Sequence, residues 1–393
     1  MKRSHSETFP GLTIPVPLSN GGGGGGGDQY LYIILKYTFG KYGYSFHRIR
    51  VSDLMVSSSS KRSHSHGHEK PQKLPKPILK LPSDRYPFFM GFFSAGSKIY
   101  MFGGEERRGL AYRNCCVFDT CQKNNPSKVV KEGPPMVFGK YHPVVLGPLH
   151  GKFYVLDSTL ASNHLEEFDP QTETWTPLPS APIAPPKEEE EEDDCSYFLY
   201  TTIAKKYKVV SQAIVGDRIL LSTQEKGIYA FHVISHTWEH WSSLDRRGNA
   251  RLPYSSGSVF HRGFWYAFPA PRYAFPGTTY HLSAYYFDED NRLFWPYRAH
   301  GVRRPSRLVD YRTQKRVVPM GDKTLFVIRS GYAHNDRPPY HITVDMCKFT
   351  RFKVKNGGKP KDPEVSKQYS ATFSHEMPAI FEFVAACLVV AST

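Results

Sequence analysis

Short apolar runs alternating with turn-forming clusters organise most of this chain. Five times a Gly-containing turn leads into a strongly apolar run: Gly96-Ser-Lys-Ile-Tyr-Met-Phe102, Gly151-Lys-Phe-Tyr-Val-Leu156, Gly216-Asp-Arg-Ile-Leu-Leu221, Gly263-Phe-Trp-Tyr-Ala-Phe268 and Gly321-Asp-Lys-Thr-Leu-Phe-Val-Ile328. Runs of this length, rich in β-branched and aromatic residues and bounded by turn formers, predict strands rather than helices. After a variable loop each unit has a second run ending in a hydrophobic-Asp pair or its equivalent, at Phe118-Asp119, Phe168-Asp169, Phe231-His232, Phe287-Asp288 and Val344-Asp345. An aromatic, Trp175, Trp238, Trp295 or Phe352, follows in every unit but the first. Before each Gly turn lies a further β-like run, at Phe92-Phe93, Val144-Val145-Leu146, Val209 to Val215, Ser258-Val259-Phe260 and Arg316-Val317-Val318.

Each unit therefore predicts about four short strands, with a period near the ~50 residues of one propeller blade. A single four-stranded sheet cannot cover both of its faces, whereas a ring of them stacks every face on a neighbour. The expected fold is all-β, a propeller of six blades. Five blades come from the repeats. The sixth is expected from the N-terminal hairpin, Tyr30 to Leu35 with Tyr44 to Val51, paired with the apolar C-terminal segment Tyr369 to Val390, so that the ring closes without an exposed edge. A helix docked on the ring is the alternative for that last segment.

Low-complexity stretches interrupt the pattern. Residues 1–27 end in seven glycines, Gly21 to Gly27, and predict a disordered tail before a propeller spanning 28–391. Within the propeller, 57–80 is expected as a flexible Ser/His/Lys/Pro loop and 183–197, which contains Glu188 to Asp194, as an acidic surface insertion.

Composition supports these expectations: 14% of residues are aromatic, enough to build cores through most of the chain. The net charge of +15 would attract acidic partners without selecting among them, and its densest group outside the low-complexity stretches is Arg303, Arg304, Arg307, Arg312, Lys315 and Arg316. The six cysteines have neither disulfide-framework nor zinc-knuckle spacing, and Cys115 and Cys116, as strand neighbours, point to opposite faces. Met1 to Leu12 has no apolar core, and Ile380 to Ala391 is shorter than the ~20 residues that span a bilayer and contains Glu382. The expected setting is the cytoplasm or nucleus, with no membrane contact.

The Gly-turn, apolar strand, Phe-Asp and spaced-Trp pattern resembles the kelch superfamily, most clearly at Tyr100-Met-Phe-Gly-Gly104. Tyr30-Leu-Tyr-Ile-Ile34, Tyr44-Ser-Phe-His-Arg-Ile49, Ala95-Gly-Ser-Lys-Ile-Tyr100 and Cys116-Val-Phe-Asp-Thr120 are similar to a family of uncharacterised kelch-like proteins of plants, abundant in grasses, over residues 28–355. The resemblance implies a galactose oxidase-like propeller and a plant source, and no particular activity. Many plant kelch proteins carry an F-box. Leu81-Pro-Ser-Asp84 opens like one, but Pro87, Phe88 and Phe89 follow in a strand pattern rather than the required helices.

No residue qualifies as catalytic, cofactor-binding or metal-binding. His64, His66 and His68 could ligate a metal, but their Ser-rich surroundings offer nothing to orient the rings. Copper radical oxidases share the kelch propeller, yet none of their motif positions carries over, and nucleophile-elbow, phosphate-loop and zinc-helix motifs are absent from the sequence. Pro179-x-x-Pro182 and Pro182-x-x-Pro185 read as linker before they read as polyproline ligands, and the tryptophans as blade packing before base stacking. The functional expectation is a monomeric, non-catalytic scaffold that binds a protein through the loop face, at Glu105 to Asn114, Pro269 to His281 and Gly331 to Tyr340. The alternatives are an enzyme with its active site in the central channel and a weak anion or nucleic-acid binder.

Overall fold

The computed structural model describes residues 28–37, 42–56, 71–106, 110–121, 130–158, 164–182, 209–223, 227–241, 252–261, 264–269, 282–288, 293–298, 314–320, 324–334, 337–351, 364–375 and 381–390. Blade 1 takes β1 (Gln29–Tyr37), β2 (Tyr42–Arg50) and, after the short helix α1 (Val51–Val56) and β3 (Gln72–Lys73), β4 (Leu79–Pro82). Blade 2 is β5 (Gly91–Ala95), β6 (Lys98–Phe102), β7 (Cys115–Asp119) and β8 (Val130–Gly133). Blade 3 is β9 (Pro143–Leu149), β10 (Lys152–Asp157), β11 (Leu165–Asp169) and β12 (Thr174–Leu178). Blade 4 is β13 (Val209–Val215), β14 (Arg218–Thr223), β15 (Ile228–His232) and β16 (Thr237–Trp241). Blade 5 is β17 (Tyr254–His261), β18 (Phe264–Pro269), β19 (Ser283–Asp288) and β20 (Leu293–Arg298). Blade 6 is β21 (Gln314–Pro319), β22 (Thr324–His334), β23 (Arg337–Arg351) and β24 (Glu364–His375), and β25 (Phe381–Val390) returns to blade 1.

Every blade is an antiparallel meander running outward from the channel, and the innermost strands β25, β5, β9, β13, β17 and β21 touch in that order around a closed ring. Between blades 4 and 5 the contact becomes a parallel pairing of Ser211 with Ser256 and Gln212 with Gly257. The reason the runs after the Gly turns are apolar at successive positions is that both faces of each second strand are buried. On β10, Phe153 and Val155 pack toward blade 2, Tyr154 and Leu156 toward blade 4; on β22, Leu325 and Val327 pack toward blade 5, Phe326 and Ile328 toward blade 1. The six hydrophobic clusters are the six seams of the ring.

The repeated tryptophans tie blades together. Trp175 Nε1 donates to the carbonyl of Pro134 and Trp238 Nε1 to that of Pro179, both at 2.9 Å, so each indole binds the chain just past the preceding blade's outer strand. The side chain of Trp295 lies outside the described residues.

Several expectations change in detail. The closing blade draws three strands from the N-terminal region, not two, and only β25 from the C-terminal segment; Tyr369 belongs to β24, the outer strand of blade 6. β25 is a strand rather than a docked helix, and it fills the innermost position by pairing along all of β1. Of 57–80, residues 57–70 lie outside the described residues, while Gln72 and Lys73 pair in parallel with β24 and Leu79 opens β4. Gly331 to Tyr340 is not an open loop, because β22 and β23 continue as a paired hairpin to His334 and Arg337. The Phe-Asp level in blade 6 is held by Cys347 and Lys348, which pair with Leu325 and Thr324, so Val344-Asp345 lies three residues further along the blade. The tail 1–27 and the insertion 183–197 lie outside the described residues. Among the described residues no helix is long and apolar enough to cross a membrane.

Candidate interaction surface on the loop face

Tight turns join the first two strands of blades 2, 3 and 4 on one face of the ring; on the other face lie the described connections between second and third strands and those between blades. Over blades 1 to 3, three segments of this second face are laced into one layer. Phe88 and Glu105 exchange backbone hydrogen bonds of 3.0 and 2.7 Å, Gly104 N–H donates to Lys140 O at 2.7 Å, and Tyr112 N–H donates to Gly104 O at 2.8 Å. Lys140 N–H donates in turn to Tyr112 O at 3.2 Å and Met136 N–H to Arg113 O at 2.8 Å. This lacing explains the glycine pair. Gly104 has a φ of +107°, and a Cβ there would lie 2.3 Å from the Phe88 carbonyl oxygen.

Buried carboxylates fix the layer from below. Glu166 on β11 accepts the N–H groups of Val137 at 2.7 Å and Phe138 at 3.1 Å, and the Lys140 ammonium at 2.5 Å. Both side chains of that ion pair are fully buried. Burial holds the Lys140 pKa below its ordinary value against the opposing pull of Glu166 and Asp157. Asp157, at the end of β10, accepts the Tyr141 N–H at 2.5 Å.

The layer presents Phe89, Leu110 and Val137, which are 38%, 58% and 45% exposed. Phe89 has a φ of +59°, a left-handed backbone that costs a bulky residue ~1–3 kcal/mol. The surroundings impose it: the buried Tyr44 hydroxyl accepts the Met90 N–H and donates to the Pro87 carbonyl, each at 3.0 Å, clamping both sides of Phe89. The Phe89 ring then lies between the Lys36 ammonium, 3.4 Å from its centroid, and the His142 ring, 4.2 Å away between centroids. The remaining large exposed apolar side chain among the described residues, Ile234, sits on the opposite face, in the turn between β15 and β16.

A second polar group lies in the closing seam. Pro75 O can only accept, so His47 Nδ1 carries the proton in their 2.7 Å contact, and Nε2 accepts from Ser45 Oγ at 2.8 Å. Tyr37 Oη lies 2.8 Å from Ser45 Oγ and donates to it. The Ser-His pair looks like a nucleophile with its base, but Ser45 and His47 are 0% and 1% exposed, which leaves no space for a substrate. Its role is to fasten the chain at Pro75 to blade 1.

Of Glu105 to Asn114, expected from its length, residues 105–106 and 110–114 are part of the laced layer and 107–109 lie outside the described residues, as do residues 270–281 of the second expected loop. Phe89 and Val137 carried no signal in the sequence, since solvent exposure at one position of an apolar-rich segment has no periodicity. The histidines at 64, 66 and 68 also lie outside the described residues, as do Arg303 to Arg312; Lys315 and Arg316 are on β21. Cys115, Cys116, Cys121, Cys347 and Cys387 are free thiols, and burial pushes Cys115 up to about 12.

A closed ring of six outward-running four-stranded sheets is a six-bladed β-propeller. Residues 28–373 match the family described as Protein of unknown function (DUF1668), and the chain belongs to that family. No curated protein matches it. Solved structures similar to it include that of YjhT, at 11% identity and a TM-score of 0.38, covering 74% of this chain and 86% of that one. Another is a protein from Lactobacillus plantarum, at 10% identity and a TM-score of 0.43, covering 89% of this chain and all of the other.

Proposed function

We propose that this protein is a kelch-type, non-catalytic interaction module that docks a protein partner on the laced layer over blades 1 to 3. The observation that carries the reading is the strained, clamped Phe89, exposed together with Leu110 and Val137 on one layer pinned by Glu166 and Asp157. Apolar side chains held rigid before binding lose little conformational entropy on docking, which is what a recognition surface needs. Strain at an exposed aromatic is a cost that a purely structural loop has no reason to carry. The kelch assignment rests on Tyr100-Met-Phe-Gly-Gly104 and the spaced tryptophans, and the likeness to grass proteins supports a plant source.

The test compares the tagged wild type with Leu110→Asp/Val137→Asp in affinity purification from plant extract at moderate salt. Leu110 and Val137 are about half exposed, so the two proteins should melt at similar temperatures, and the specific protein recovered by the wild type should be absent from the double variant. Equal recovery by both would remove the layer as the docking site.

A further inference from the structure

Between β3 and β4 the chain crosses the outside of the closing seam, from the edge of blade 6 to that of blade 1. On blade 6, Gln72 and Lys73 pair in parallel with Phe373 and Ser374, Leu74 N–H donates to Ser374 O at 3.0 Å, and Ser374 Oγ donates to Gln72 O at 3.4 Å. On blade 1, Ile78 N–H donates to Phe46 O at 2.8 Å and His47 Nδ1 holds Pro75 O. Leu74, 4% exposed, is the side chain by which this strap joins the apolar cluster of the seam. Beside it lies a cleft of about 180 Å³, with Gln72, Lys73 and Pro75 among its walls on the strap and Ile49, Ala371 and Phe373 among those on blades 1 and 6. A strap held at points beside a cleft comes away more easily than a strand within a sheet.

The bond from His47 to Pro75 ends a one-way series. His375 Nε2 lies 3.5 Å from Tyr37 Oη, which donates to Ser45 Oγ, which donates to His47 Nε2, and the other ring nitrogen donates to Pro75 O. The series runs from β24 through β1 and β2 to the strap, and it fits only a neutral His47. A proton on Nε2 sets that N–H against the Ser45 O–H, so the bond breaks or the hydroxyls of the series must turn round. The neighbouring cations act in the same sense: Lys80 and His375 oppose a proton on His47, and Lys73 and Lys80 oppose one on His375. Once the strap lifts, water hydrates the ring and the proton is taken up without these penalties.

We propose that residues 71–79 are an acid-released strap: a proton on His47 undocks them from the closing seam while the six blades stay folded. Release frees the edge of β24 that β3 occupies, and β25 keeps the ring closed from within. The size of the effect follows from linkage. With His47 at its ordinary 6.5 when the strap is lifted and at about 4 when it is docked, a fall from pH 7 to pH 4.5 raises the lifted population on the order of fiftyfold.

The test is hydrogen exchange of the full chain at pH 7 and pH 4.5, read by mass spectrometry and corrected for intrinsic rates. In wild type, protection of the Leu74 and Ile78 amides should fall on the order of fiftyfold at pH 4.5 and recover at pH 7, while β10 and β14 keep theirs. His47→Gln does not titrate, and its strap should be equally protected at both pH values. Ser45→Ala removes the hydroxyl that opposes a proton on Nε2, so its strap should lose less protection than that of wild type, which supplies the comparison should His47→Gln not fold. Unchanged protection of 71–79 in wild type at pH 4.5, a loss shared by β10 and β14, or a loss in the variants equal to that of wild type overturns the strap.

Discussion

Burial of a single imidazole makes the closing seam sensitive to acid. His47 is enclosed between Ser45 and Pro75, and burial pulls its pKa down from 6.5 to about 4. The unfolded chain takes up a proton as pH falls through 6.5, whereas the folded chain resists until about 4, so stability that is complete above 6.5 is lost across this window. The interval corresponds to as much as about 3 kcal/mol. His375, whose ring centroid lies 5.6 Å from that of His47, is also held low by burial and acts in the same direction. Urea titrations of wild type and His47→Gln at pH 7 and pH 4.5 should show a steeper loss for the wild type; parallel losses would place the acid sensitivity elsewhere.

At the scale of elements, one carboxylate couples a strand to a loop. Glu166→Ala strands the buried Lys140 ammonium and two backbone N–H groups, and removal of one partner from such a pair costs roughly 3–5 kcal/mol. Chemical denaturation should show this loss, and partner recovery should fall although Phe89, Leu110 and Val137 are unchanged. The elements themselves were largely legible in the sequence, because a strand buried on both faces writes a continuous apolar run and a Gly turn marks where it starts. Gly96, Gly151 and Gly216 each sit in a tight turn with positive φ. The phase of blade 6 was lost because β23 runs for 15 residues, and a hydrophobic-Asp pair can occur anywhere along so long a strand. Of the candidate surface, Glu105 to Asn114 was legible as a long loop, but Phe89 was read as part of a strand pattern. Its backbone is set by Tyr44 from another blade position 45 residues away in the chain, and such long-range constraints leave no local mark.

For the whole molecule, stability rests on closure, since each seam buries apolar side chains worth ~1.5–3 kcal/mol apiece and an open ring would leave the innermost place of blade 1 vacant. A chain truncated after residue 380 loses β25, and with it Cys387 and Val389 from the seam with blade 2. It should be digested by protease at concentrations the full chain survives and should elute as an expanded or aggregated species on gel filtration; a compact, protease-resistant product would show that five blades and a fragment hold together unaided. The same joint has a meaning in time. A ribosome delivers β1, β2 and β4 before blades 2 to 6 and β25 after them, so blade 1 must wait for the other five blades to be made before its sheet is complete. Until then β1 presents an unpaired, apolar edge to the cell. Nascent chains should therefore need shielding at blade 1 until β25 emerges, and a chain cut short before β25 would fail inspection as a whole instead of losing one blade.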